Sequence, residues 1–160
     1  MSEAHDNRLV AARLPHADLI AVLFVQHARV KDLMAQVSAA AGTERTMLFE
    51  HLTATIKAYE TAEEAVVRPI TKEAAGSEVA DARNAEEREA DEVIAALTEM
   101  DVDSAEFDAK FAEFRQAVLD HAAAEETEEF PSLESSRSDE ERVTLGEEFL
   151  ARFRAAGGTD

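Results

Sequence analysis

The segment YETAEEAVVRP (59–69) returns as HAAAEETEEFP (121–131), sixty-two residues further on and without a gap. Tyr59, Ala62, Glu63, Glu64 and Pro69 fall on His121, Ala124, Glu125, Glu126 and Pro131. The repeated residues are polar, yet they continue an apolar seam. Leu48, Leu52 and Ile56 lead into Tyr59, Glu63 and Val66, and Phe107, Phe111, Phe114 and Val118 lead into His121 and Glu125. Steps of three and four residues mark the face that a helix turns towards its neighbours. Within each copy the polar pair is spaced i, i+4, about 40° apart around a helix and one turn up, so both side chains reach the same point.

Two further helices flank the repeat. The first is predicted from Asp18 to about Ala41, with Gly42 as a left-handed stop and Thr43 capping the next helix. Its seam is Ile20, Leu23, His27, Val30, Met34 and Val37, so His27 stands where a Leu is expected. The second helix spans about Glu44 to Val67 and stops at Pro69, the third about Val79 to Met100. On the third, Glu87 precedes Ala90, Ile94 and Leu97 on the seam, with Asp91 one turn beyond Glu87. The fourth opens at Asp103 with Glu106 in a capping-box-like pair and ends at Pro131. Ser138 and Glu141 form a second capping box, opening a short fifth helix over about 139–156 that lies across the others through Leu145, Phe149, Leu150 and Phe153. The Gly157–Gly158 tail is expected to fray. The fold class is therefore all-α: an up-down four-helix bundle over about 18–131 with a short C-terminal fifth helix, in one domain over 1–160.

A chain of 160 residues, 46% hydrophobic, has material for a sizeable core. Its net charge of −19 repels phosphate backbones and anionic headgroups, which argues against nucleic acid and membrane partners. The absence of Cys removes disulfides, thiol nucleophiles and iron–sulfur clusters, leaving His, Asp, Glu and Tyr as metal ligands. The run Leu19 to Val25 is far below the ~20 residues that span a bilayer. The expectation is a cytoplasmic protein, monomer or homodimer.

Six polar groups then face one another: His27, Tyr59 and Glu63 from one half, Glu87, His121 and Glu125 from the other, with Asp91 as a second candidate on the third helix. A buried, unpaired carboxylate costs several kcal/mol even after relaxation. Cations supply the missing charge, and four-helix bundles commonly build binuclear carboxylate–histidine sites from inward-facing side chains. Oxygen and nitrogen donors without sulfur suit iron or manganese, with zinc as an alternative. Arg83 and Arg88 flank Glu87 but fall off its seam, Glu64 and Glu126 turn to solvent, as does His51, and His5 and His16 carry no role.

From Ala17 to Pro131 the chain resembles the hemerythrin-like (HHE cation-binding) family. The resemblance rests on DLI (18–20) followed by QHARV (26–30), Tyr59-x-x-x-Glu63-Glu64, EEREAD (86–91) and His121-x-x-x-Glu125-Glu126. That family carries His on helix one, His-x-x-x-Glu on helices two and four, and His near the start of helix three. The resemblance implies that His27, Glu63, His121 and Glu125 ligate a di-iron centre, two Fe ions bridged by the two Glu side chains. Tyr59 and Glu87 replace two expected histidines. Both can ligate iron, and hard anionic donors favour its ferric state. This shifts the expected activity from reversible oxygen carriage to oxidase-, peroxidase- or catalase-like chemistry on oxygen, peroxide or nitric oxide. Two other readings stay open: a metal-poor or metal-free bundle serving as a partner-binding or structural module, and a metal-dependent enzyme acting on a small organic substrate. The latter needs a pocket beside the site, which Ala90, Ala122 and Ala123 would leave room for.

Overall fold

The computed structural model describes residues 3–159. In chain order it contains α1 (Glu3–Ala11), α2 (Leu19–Ala39), α3 (Gly42–Ala62), a π-helical turn π1 (Glu63–Val67), α4 (Arg68–Ala74), α5 (Ser77–Thr98), α6 (Ala105–Ala124), a second π-helical turn π2 (Glu125–Glu129), α7 (Phe130–Ser136) and α8 (Asp139–Ala155). Among the described residues there is no strand. The molecule is an all-helical bundle with an extra C-terminal helix. Its four rods are α2, α3–π1–α4, α5 and α6–π2–α7; α2 pairs with α3, α5 with α6, and α8 packs against α2 and α3. Among the described residues no helix is long and apolar enough to cross a membrane.

The predicted seams form the core. Leu23, Met34, Val37, Leu52, Leu97, Phe107 and Phe114 are almost wholly buried, and side chains of this size each contribute about 1.5–3 kcal/mol when removed from water. Phe49 meets Phe107 edge-on at 5.4 Å, closing the core at the end remote from the polar residues. There Arg45 lies over the Phe107 ring and donates to the carbonyls of Val37 (3.0 Å) and Val102 (2.7 Å), tying a helix end to a loop.

Helix starts follow their caps, with two corrections. Asp18 accepts from the Ile20 N–H at 2.9 Å, and Ser138 and Glu141 form the expected capping box. The fourth rod is capped by Ser104, whose hydroxyl accepts from the Phe107 N–H at 3.1 Å; Asp103 instead accepts from the Gly42 N–H at 2.9 Å, joining two loops. Gly42 has the expected positive φ of 59°, but Ala41 rather than Thr43 stands at the N-cap.

Neither proline ends its rod, contrary to expectation. At Pro69 and Pro131 the helix continues, to Ala74 and Ser136. The turn before each proline is widened: the Arg68 N–H bonds to the Glu63 carbonyl and the Phe130 N–H to that of Glu125, five residues back instead of four. A proline ring clashes with the carbonyl four residues before it, and the wider turn relieves that clash.

Two further differences lie at the ends. The N-terminal arm forms α1, which packs on α2; Asn7 is buried and Arg8 pairs with Asp32 at 2.6 Å. The Gly157–Gly158 segment is not frayed. Gly157, at φ 92°, and Gly158 donate to the carbonyls of Arg154 (3.0 Å) and Phe153 (2.9 Å), closing α8 as glycine caps do.

Helix α8 is held at its start by the Arg142 Nε bond to Asp18 at 3.0 Å. Gly146 then touches the backbone of Ala17, and a Cβ at that position would fall on the Ala17 carbonyl. Gly146→Ala is therefore expected to lower the unfolding free energy by about 1–3 kcal/mol, as overpacking does. An unchanged urea midpoint would show that α8 is not seated this closely.

Candidate metal centre

The two π turns stand sixty-two residues apart, at the repeated Glu63 and Glu125. Each begins on a buried glutamate. Glu63 and Glu125 meet Glu87 from α5 and His121 from α6 so that one ligand atom from each lies within 4.8 Å of the others. Of the six sequence candidates these four form one group. Glu87, Glu63 and Glu125 are buried, and His121 is 19% exposed on its side chain.

The other candidates lie beside this group. His27 donates from Nε2 to Glu125 at 2.8 Å and from Nδ1 to Glu126 at 2.7 Å. With a carboxylate on each nitrogen, its imidazole is doubly protonated in this arrangement. Phe130 stacks on it at 5.3 Å. Tyr59 is buried outside the four-residue group, its ring stacked 4.2 Å from Phe153 and 6.3 Å from Phe149 of α8. Asp91 is also outside the group, and its buried Oδ1 has no hydrogen-bond partner.

Residues that sequence reasoning passed over, Arg68 and Glu129 with Asn84 and Thr71, complete the arrangement. Arg68, 4% exposed, directs Nη2 at Glu63 (3.2 Å), Glu125 (3.0 Å) and Glu87, and Nη1 at Glu129 (2.8 Å). Its Nε donates to Asn84 at 3.1 Å, and Thr71 donates to the Glu129 oxygen that Arg68 also contacts. On a regular helix residues 63 and 68 are about 140° apart and do not meet; the π turn brings them together. The available signal was the position of Arg68 immediately before the repeated proline. Glu126, expected in solvent, instead accepts from His27 and from Asn7 (2.9 Å). Arg83, although off the seam, is buried and pairs with Glu86 at 2.8 Å. Glu64 and His51 are exposed, as expected.

Burial and mutual charge set the protonation of the cluster. Burial would lower the His27 imidazole, but Glu125 and Glu126 together outweigh it and raise its pKa to about 9. Burial is likewise opposed at His121, where Glu125, Glu63 and Glu86 together raise the pKa to about 10. Burial and then the Glu125 charge push Glu63 up to about 7, against Arg68. Burial and then the Glu63 charge push Glu87 up to about 10. Glu125 goes the other way: against burial, His121 and His27 hold it well below the usual carboxylate range. Such divergent environments within one cluster are typical of functional sites.

The hemerythrin HHE cation-binding domain matches residues 18–133. The chain belongs to this family. No curated protein and no solved structure matches it. The donor set fits the cation that the family implies. It offers three carboxylates and one imidazole, and Glu87 Oε2, buried among them, has no hydrogen-bond partner. Unpaired buried carboxylate oxygens are costly, and a cation is a partner of the right sign.

For the metal-free protein these shifts fix the sign of the pH dependence. His27 is raised in the fold, so the stability from its carboxylate pairs is fully present below about 6.5 and lost as pH rises through about 9. The raised Glu63 and Glu87 act in the same direction from about 4.5 upward, whereas Glu125 and Glu126, lowered by the histidines, lose their contribution as pH falls below 4.5. Chelator-treated protein should be most stable on the acid side of neutrality. Its urea midpoint should fall steadily from pH 6.5 to 9, and less steeply in His27→Gln. A midpoint that rises over that interval would contradict the assignment.

Proposed function

We propose that this protein holds non-haem iron through Glu63, Glu87, His121 and Glu125 and uses it on oxygen, peroxide or nitric oxide. The observation that carries this reading is the convergence of those four donors inside a fold of the HHE cation-binding family. Bound iron would supply an open coordination position and a change of oxidation state. The protein's own part is to place and tune the donors. Glu86 accepts from His121 Nδ1 at 2.6 Å, which fixes the imidazole so that Nε2 faces Glu125 at 3.1 Å. Glu125 is aligned from its other oxygen by His27, and Glu63 by Gln26. Oxygen-rich donors suit iron or manganese.

A cavity of about 460 Å³ lies against these donors, walled by Val30, Ile56, Ala90, Val93, Phe114 and Val118. A diatomic gas needs little more than the ~30 Å³ of a water molecule. The cavity falls instead in the ~300–1,000 Å³ range of pockets for small organic molecules. It supports a second reading in which a small organic substrate is brought to the same metal.

Metal that binds only the native state raises its stability by about 2.7 kcal/mol at a hundred times Kd. Anaerobic addition of Fe²⁺ to chelator-treated protein should therefore raise the unfolding midpoint, and His121→Ala or Glu87→Gln should abolish most of the rise. Indifference of the midpoint to iron and to chelators would favour the metal-free partner-binding module. Retention of full metal content by His121→Ala would remove these residues from the ligand set. Ala90→Phe, which fills the cavity, separates the two small-molecule readings: it should leave nitric oxide binding intact and abolish turnover of an organic substrate.

A further inference from the structure

Arg68 bears directly on how many cations the centre takes. Its Nη2 touches Glu63, Glu87 and Glu125, three of the four proposed ligands. The remainder of the guanidinium has dedicated partners: Nε on Asn84, and Nη1 on Glu129, which is itself held by Thr71. A side chain anchored in this way on the edges facing away from the ligands is a built component, not a surface residue fallen inwards. The repeat supports this. Sixty-two residues on, the equivalents of Val67 and Arg68 are Glu129 and Phe130, so the arginine and its counter-ion occupy opposite halves and meet in the middle.

The hydrogen bonds of the protein already engage most of the ligand oxygens. Glu63 accepts from Gln26 on one oxygen and Arg68 on the other, and Glu125 accepts from His27 on one and from Arg68 on the other, where His121 Nε2 also lies at 3.1 Å. Of the six oxygens on the three carboxylates, Glu87 Oε2 alone lacks a partner. Each carboxylate oxygen has two lone-pair positions, so five of the six are partly engaged by the protein and Glu87 Oε2 is the one left wholly to a cation. Arg68 and the doubly protonated His27, which pairs with Glu125, already supply two of the positive charges that these carboxylates need, which lowers the demand for a second metal ion.

Resting on the proposed metal centre, we infer that Arg68 takes the place of one of two cations, so that the protein binds a single metal ion per chain where the sequence alone suggests two. The guanidinium is the permanent partner of Glu63, Glu87, Glu125 and Glu129, and the metal is the exchangeable one.

The test is to titrate chelator-treated full-length protein with Mn²⁺, reading stoichiometry by calorimetry and ion coupling by electron paramagnetic resonance. The native protein should bind one ion and give the spectrum of an isolated Mn²⁺. Arg68→Met, which removes the charge and keeps the stem, should bind two and show spin coupling. If that variant does not fold, Arg68→Gln with Glu129→Gln, which also removes the carboxylate left without its partner, carries the same readout. Two coupled ions in the native protein would overturn the inference and leave the metal centre standing. One ion in both the native protein and the folded variant would also overturn it, since Arg68 would then not be filling a cation position. No binding by the native protein would overturn the metal centre itself, and the inference with it.

Discussion

Four buried carboxylates have to be neutralised inside this bundle, and the arrangement of the helices depends on how that is done. Removing a carboxylate from water costs several kcal/mol even after relaxation. Glu63, Glu87, Glu125 and Glu129 are each 4% exposed or less. The compensating groups come from different rods: Arg68 from the second, His121 from the fourth, and His27 from the first. Charge balance therefore also fixes helix register. Sliding any of these rods by one turn, about 5.4 Å, would separate a carboxylate from its partner. An apolar seam of Leu and Phe tolerates such a slip far better, because hydrophobic contact is non-directional.

The prolines serve the same end. A helix that simply stopped at Pro69 would leave Arg68 at a frayed terminus. Instead the rod widens for one turn and continues, and the widened turn rotates Arg68 onto the face that carries Glu63. At the second proline the same device rotates Phe130 over the His27 ring and leaves Glu129 facing Arg68. The backbone irregularity and the polar centre are thus one feature of the repeat, in keeping with the frequency of π turns at functional positions.

Much of this was legible in the sequence. Seam residues at steps of three and four placed His27, Glu63, Glu87, His121 and Glu125 inside, and all five face the centre or its immediate partners. Caps at Asp18 and Ser138 located two helix starts. What was not legible shares a cause: arithmetic at 3.6 residues per turn holds only while the helix is regular. Beyond Glu63 and Glu125 the π turns shift every later side chain, so Arg68 and Glu129 were out of reach of that arithmetic. Helix α1 was missed for another reason. Its nine residues are mostly polar and show no apolar stripe, and it is ordered by contacts such as Asn7 with Glu126 and Lys31 (2.6 Å), groups far away in sequence.

The sequence repeat also shows where the two halves part. Tyr59 and His121 are equivalent by sequence, yet Tyr59 is drawn away to stack on Phe153, whereas His121 stays at the centre and bonds to Glu86. Helix α8 is what makes the difference, since it packs on α3 and offers its Phe side chains to that rod. On the first rod, His27 is enclosed by the Phe24 and Phe130 rings and by the Asn7–Glu126 contact, and is 5% exposed; His121 is 19% exposed. Duplicated helices would by themselves give two equivalent polar faces. Aromatic rings close the His27 side, which leaves His121 as the more exposed of the two histidines, next to Glu87 and its Oε2 without a hydrogen-bond partner. A fifth helix on one rod and aromatic rings over His27 thus make two halves that are alike in sequence unlike in structure, with His121 the histidine left partly exposed.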